Sequence, residues 1–306
     1  MNKIVLVGCG NVGMSYAYAL VNQKTYVDEL VLIDINKDRV IGEAMDLNHC
    51  LAYSPSKMII KAGSYKDCKD AKIVVIAAGA NQKEGETRMD LIYKNASIFK
   101  SIINNIKNSG FNGIYVVATN PLDVMTYLTL KYSKTKYNKV IGTGAALDTA
   151  RLRYILSEKL NVCSKDIDAY VIGEHGDSEF IPWSNANIAF KKITDYLTKE
   201  EMDKIEKDVR DSAYEVIRRK GATYYGIGTC MVRITNAILE DKKIILAVSS
   251  YDKDLDVCIS TPTIVGSNGV SEKIYMPLNK KEKEKLDESI KVIKDAINKI
   301  KWGNYV

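Results

Sequence analysis

The stretch VIGEHGDSEF, residues 171–180, contains His175, one of only two histidines in a chain of 306 residues. Imidazole is the side chain whose ordinary pKa lets it give and take protons near neutral pH. Set between glycines and acids after a β-branched pair, His175 is either a turn residue or a proton carrier. Other stretches hold charged and polar groups where a ligand crevice could form. GAALDTARLR (144–153) opens a helix and places Asp148 and Arg151 three residues apart, hence on one face. Taken alone, that pair reads equally well as a local ion pair whose acid complements the helix dipole. ATNPLD (118–123) ends a strand in Asn120-Pro121, and AAGANQKEGETR (77–88) leaves a strand at Gly79 and enters a helix near Arg88.

A second chemistry is written in GCGNVG (8–13), which fits G-x-G-x-x-G. Glycine loops are common, and a merely structural turn is the competing reading. This one follows a short apolar strand, opens a helix, and is followed 21 residues after Gly13 by Asp34 at the end of a second strand. That context is the dinucleotide-binding one. Gly8 permits the tight turn, Gly10 lets the backbone approach a pyrophosphate, and Gly13 lets the helix pack close, its N-terminus facing the phosphates. Asp34 suits a ribose 2′-hydroxyl and would repel a 2′-phosphate, so NAD is favoured over NADP. A nicotinamide cofactor would carry hydride, and an imidazole and arginines are groups that could serve that transfer. The arginine fork matches a planar carboxylate. Negative charge that grows on the carbonyl oxygen is met by a guanidinium and by a proton from an imidazolium.

These groups have to be carried by strands and helices. KIVLVG (3–8), ELVLID (29–34), MIIKAG (58–63), AKIVVIAAG (71–79), GIYVVAT (113–119) and KVIGTG (139–144) read as six strands. Helical patterns lie between them, opening after Gly13 and covering 38–50 and 88–110. Near-continuous apolar strands joined by helices predict a parallel sheet covered on both faces, a doubly wound α/β domain over residues 1–142. The second half predicts an α+β substrate-binding domain over 143–306. It has a long amphipathic helix (198–221), an antiparallel sheet from KIILAVSSY (243–251), VCISTPTIV (257–265) and EKIYMP (272–277), and a closing helix. Leu286, Ile290, Ile293, Ile297 and Ile300 form that helix's apolar stripe.

Composition removes several classes of function. No apolar run approaches the ~20 residues that span a bilayer, and the N-terminus reads as a first strand rather than a signal peptide. A cytoplasmic location follows as the expectation. The net charge of +6 comes from lysines interleaved with acids, not from the clustered basic face of a nucleic-acid binder. Six cysteines lie far apart with no C-x-x-C pair, which predicts reduced, buried thiols and no metal site. His49, in AMDLNHC without comparable partners, reads as structural.

GCGNVG, AGANQKEGETR, TNP, LDTARLR, GEHGD and KGATYYGIG occur in an order and spacing similar to the L-lactate/malate dehydrogenase family, over essentially the whole chain. The resemblance implies NAD as cofactor and reversible reduction of pyruvate to L-lactate, in glycolysis and fermentation. It implies His175 as proton donor and acceptor, with Asp148 as its carboxylate partner and Arg151 binding the substrate carboxylate. Arg88, on a loop that closes over the substrate, would polarise the carbonyl, and Asn120 would position the same oxygen and the nicotinamide side. Gln82 matches the specificity position and Thr223 the opposite pocket wall. Asn11, Val12, Tyr65, Gly79 and Asn120 join Gly8, Gly10, Gly13 and Asp34 on the cofactor side. Malate dehydrogenases are expected to carry arginine where Gln82 stands, and an unpaired second carboxylate in a dry site is costly. Pyruvate is therefore favoured over oxaloacetate, with malate or a bulkier L-2-hydroxy acid as the alternative substrate. A non-catalytic NAD-binding sensor on the same fold is the alternative of another class. Activation by fructose 1,6-bisphosphate would use Arg153 and a histidine seven residues before His175. Asp168 stands there instead, and an acid repels phosphate. The resemblance also implies a dimer or a tetramer, and a homotetramer is the expectation.

Overall fold

Short runs of Val, Ile and Leu, buried at every position, form the centre of the molecule. They are β1 (Lys3–Val7), β2 (Glu29–Ile33), β4 (Ile73–Ile76) and β5 (Ile114–Val117). Burial on both faces is what a parallel sheet clad by helices requires. β3 (Ile59–Ala62) is partly exposed and forms one edge. β6 (Val140–Gly142) completes the parallel set, ordered β6-β5-β4-β1-β2-β3. The crossovers carry α1 (Asn11–Asn22), α2 (Lys37–Cys50), α3 (Arg88–Asn108) and α4 (Leu122–Ser133). The expected six-stranded doubly wound sheet is thus present. This computed structural model describes residues 1–80 and 88–300, the side chains of 88–90 excepted.

α1 starts at Asn11, three residues earlier than the glycine pattern suggests, so Gly13 lies inside its first turn. α4 has no amphipathic signature because almost every one of its positions is buried. After β6 the chain forms α5 (Ala146–Leu160), then a small antiparallel sheet of β7 (Ile167–Asp168), β8 (Asn187–Ile188) and β9 (Lys191–Lys192). α6 (Lys199–Lys220) opens with a capping box from Thr198 and Glu201, and α7 (Tyr225–Leu239) follows it.

The antiparallel strands of the second half do not form a sheet of their own. β10 (Ile244–Asp252) pairs with β6 through Ser249 and Gly142, and β11 (Val257–Gly266) and β12 (Gly269–Lys273) extend it to nine strands. β12 also lies earlier than EKIYMP suggests. Gly266 pairs with Gly269, so a two-residue turn at Ser267-Asn268 starts the return strand at once. α8 (Lys280–Asn298) closes the chain, and Ile290, Ile293, Ile297 and Ile300 are buried in the same cluster as β5 and α4.

α1 and α7 touch at Gly228, where a Cβ would lie 2.8 Å from the backbone carbon of Ser15. Gly228→Ala has to push the two helices apart, an overpacking cost of about 1–3 kcal/mol. A thermal midpoint lowered by several degrees is expected in a melting experiment. An unchanged midpoint would show that the two helices separate freely.

Candidate active site

Asp148, the third residue of α5, is 2% exposed and bonds on both oxygens. Its Oδ2 faces His175 Nδ1 at 2.7 Å, and its Oδ1 accepts from Arg151 Nη1 at 2.6 Å. Residues 27 positions apart are therefore joined, and one carboxylate holds the imidazole and the guanidinium together. With Nδ1 turned to the carboxylate, a neutral ring carries its proton there and leaves Nε2 for chemistry.

The loop that carries His175 is fixed from four sides. The His175 backbone N–H donates to Asp123 Oδ2 at 2.7 Å, and Ser249 Oγ of β10 donates to Asp123 Oδ1 at 2.6 Å. Gly173 and Ser260 of β11 exchange backbone bonds at 3.0 and 3.1 Å. The Glu174 N–H donates to Ser289 Oγ of α8 at 2.7 Å, and the Val171 N–H to Thr149 Oγ1 of α5 at 3.0 Å. Gly173 sits at φ +99°, with Ser289 Oγ only 2.5 Å from where a Cβ would be. Glycine alone meets both conditions. The acids beside His175 serve other partners: Glu174 Oε2 accepts from Ser178 Oγ at 2.5 Å, and Asp177 Oδ1 from Tyr214 Oη at 3.0 Å.

Charge follows from these contacts. Burial alone would lower the His175 pKa, but the Asp148 carboxylate outweighs it and raises the imidazole to about 9. Burial would likewise raise Asp148, and the charges of His175 and Arg151 instead hold it below the usual carboxylate range. Burial pushes Asp123 up to about 6, against the hydrogen bonds from Ser249 and the His175 N–H and the charge of His175. His175 thus carries a proton at neutral pH. Asp148, His175 and Glu179 offer donor atoms within 4.8 Å of one another, a set that could ligate a cation. Arg151 already supplies positive charge to Asp148 at that point.

A cavity of about 410 Å³ opens here, lined by Asn120, Asp148, Arg151, His175, Glu179 and Arg210 among others. Asn120 reaches it from the end of β5, its carbonyl accepting from Asn95 Nδ2 of α3 at 2.9 Å. Thr223 lies in the turn between α6 and α7 and is not among the described residues lining the cavity. Arg88 begins α3, but its side chain, like the whole of Gln82, lies outside the described residues. Arg153 turns elsewhere: its Nε donates to the Ala169 carbonyl at 3.0 Å and its guanidinium stacks on Tyr170. His49 stands exposed in the last turn of α2. Cys9, Cys68 and Cys258 are buried as expected, whereas Cys163 is exposed; all six are free thiols.

The glycine loop fits a dinucleotide. Gly8 adopts φ +102° against the Ala78 backbone, and a Cβ on Gly13 would strike the Gly8 carbonyl, so both close approaches need glycine. Nothing lies within 4 Å of the Cβ position of Gly10, and no side chain caps the first turn of α1. The amides of Asn11, Val12 and Gly13 therefore form an uncapped, electropositive helix start suited to phosphate. Asp34 accepts from the Cys9 and Asn36 N–H groups at 2.8 and 3.2 Å, which fixes its carboxylate beside the loop. Tyr65 lies close enough to feel the Asp34 charge. Gly79 abuts Thr119 Cγ2, and Thr119 Oγ1 donates to the Ala78 carbonyl, tying the glycine loop to the segment that bears Asn120.

Residues 2–142 match the lactate/malate dehydrogenase NAD-binding domain, and residues 145–302 match the lactate/malate dehydrogenase alpha/beta C-terminal domain. The chain is similar to an L-lactate dehydrogenase of Halalkalibacterium halodurans, 51% identical over 96% of each chain. A crystal structure of a lactate dehydrogenase enzyme from a Medee basin deep-sea metagenome library superposes with TM-score 0.95 at 50% identity, over 97% of this chain and 98% of that one. The ligand-bound minor L-lactate dehydrogenase of Enterococcus mundtii gives TM-score 0.96 at 40% identity, over 98% of both chains. Among the described residues no helix is long and apolar enough to cross a membrane.

Two histidines make the charge on His175 directly observable by imidazole NMR. The His175 signal is expected to titrate near pH 9. In Asp148→Asn, burial is left unopposed by that charge, so the titration should fall below the ordinary ~6.5. Because the folded-state pKa is raised, the pair's stabilisation is full below the unfolded value near 6.5 and fades as pH rises through about 9. A wild-type midpoint near 6.5 would refute the pairing.

Proposed function

The chain belongs to the lactate/malate dehydrogenase family, and we propose that it is an NAD-dependent L-lactate dehydrogenase that interconverts pyruvate and L-lactate. The observation that carries this reading is Asp148 bonded at once to His175 and Arg151. The loop Gly8–Gly13 would hold the pyrophosphate of NAD(H) and Asp34 its ribose, and the bound cofactor would supply or accept the hydride.

Nε2 of protonated His175 gives its proton to the carbonyl oxygen as that oxygen gains charge, and takes it back in lactate oxidation. Asp148 keeps the ring oriented and charged at neutral pH. Arg151 holds the substrate carboxylate with the N–H donors that Asp148 does not engage. Arg88 and Asn120 are assigned to the carbonyl oxygen, Thr223 to the pocket wall, and Tyr65 and Gly79 to the cofactor. Gln82, being neutral, leaves a second substrate carboxylate without a partner, which favours pyruvate over oxaloacetate. We further assign residues 1–142 to cofactor binding and 143–306 to substrate binding, in a cytoplasmic homotetramer serving glycolysis and fermentation.

Steady-state NADH oxidation with pyruvate, oxaloacetate and 2-ketoisocaproate side by side tests the assignment, and pyruvate should be preferred. Gln82→Arg should shift the ratio of kcat/KM values toward oxaloacetate by tenfold or more, roughly one new charge pair. An unchanged ratio would contradict the role of Gln82, and inactivity on all three substrates would favour a non-catalytic NAD sensor.

Exposed Asp168 adjoins Tyr170, the ring on which Arg153 stacks, and brings negative charge to the place where a phosphate would bind. Fructose 1,6-bisphosphate should therefore leave the pyruvate half-saturation concentration nearly unchanged. A large drop on adding it would overturn this expectation.

A further inference from the structure

Four residues beyond His175, the same loop carries a second buried acid. Glu179 is 7% exposed and lines the substrate cavity beside Asp148, Arg151 and His175. Its carboxyl lies within 4.8 Å of the facing atoms of Asp148 and His175. Two carboxylates this close in a buried site cannot both ionise cheaply. Their partners decide which one keeps a proton. Asp148 has His175 on one oxygen and Arg151 on the other. No lysine or arginine side chain among the described residues forms an ion pair with Glu179.

We propose that Glu179 keeps its proton at neutral pH and donates it in a hydrogen bond to Asp148, acting as a positioning residue that tempers the pull of Asp148 on His175. The proposal rests on the reading of His175 as proton donor and acceptor. With His175, Arg151 and Glu179 all bonded to it, Asp148 spreads its charge over three donors. The imidazolium then releases its proton more readily than it would beside a carboxylate that had only two. Both directions of the reaction need this balance, since pyruvate reduction starts from the charged ring and lactate oxidation from the neutral one. No proton is consumed by the arrangement, because Glu179 retains its own throughout.

The surrounding charges agree with this placement. Burial raises the Glu179 carboxyl and the Asp148 charge raises it further, while His175 and Arg151 act in the opposite sense; an ionised Glu179 would instead add to the charges that raise His175. Arg210 and Glu206 face it from α6, and Lys285 and Glu288 from α8. Lys285 is already paired with Glu206. Asp123 of α4 also raises His175, while Glu174 and Asp177, its neighbours on the loop, accept from Ser178 and Tyr214.

Two measurements that need no turnover test the assignment. Infrared spectra of the wild-type protein at neutral pH should show a protonated-carboxyl C=O band. It should shift on 13C-glutamate labelling and be missing from Glu179→Gln. Imidazole NMR should place the His175 pKa in Glu179→Gln within about 0.3 unit of wild type, because the amide still donates to Asp148. Glu179→Leu removes the donor and should raise that pKa by about half a unit or more. Absence of the band, or a fall in the His175 pKa in Glu179→Gln, would mean that Glu179 is ionised and would overturn the proposal. Failure to reduce pyruvate would contradict the functional reading and leave these two readouts standing.

Discussion

A carboxylate with 2% of its surface exposed stays ionised only where positive charge and hydrogen bonds replace water. Asp148 meets that condition through one imidazole and one guanidinium, on opposite oxygens. The two cations need it in return. Without it, burial would strip the proton from His175, and Arg151 would have no fixed orientation toward a substrate carboxylate. The site is thus a mutually dependent set in which removing the anion leaves two groups wrongly charged or wrongly aimed.

Holding that set is a task for the whole fold. Asp148 and Arg151 arrive on α5, which starts where β6 ends. His175 arrives on a loop bonded to β10 through Asp123 and Ser249, to β11 through Gly173, and to α8 through Ser289. Because β10 pairs with β6, the supports on β10 and β11 belong to one nine-stranded sheet that also presents the glycine loop. Continuity of the sheet holds a helix, a loop and a cofactor-binding turn from distant parts of the sequence on one frame.

Much of this was legible in the sequence. The six parallel strands were readable because strands buried on both faces have a simple composition, and the glycine loop because its spacing is tied to a strand and a helix. The partnership of Asp148 and His175 was legible only through resemblance to a family, since local spacing left a plain Asp148–Arg151 ion pair complementing the helix dipole an equally good reading. α4 was not visible, because burial on all sides erases periodicity. The fusion of the second sheet to the first was also hidden: alternation marks a strand but not its neighbour. Asp123, Ser249 and Ser289 carried no mark, because short polar residues look alike until the backbone groups they bond are in place. Glu179 stood in plain view beside His175, but only burial next to Asp148 distinguishes it from a solvated loop acid.

The most direct test of the account is the rate of hydride transfer in His175→Gln, followed by NADH absorbance in single turnovers with pyruvate, with NADH binding monitored by fluorescence. If His175 gives the proton, NADH should bind as in wild type while the transfer rate falls by about two to four orders of magnitude, the usual contribution of a positioned general acid. Transfer at close to the wild-type rate would contradict the account, because the proton would then be coming from another group.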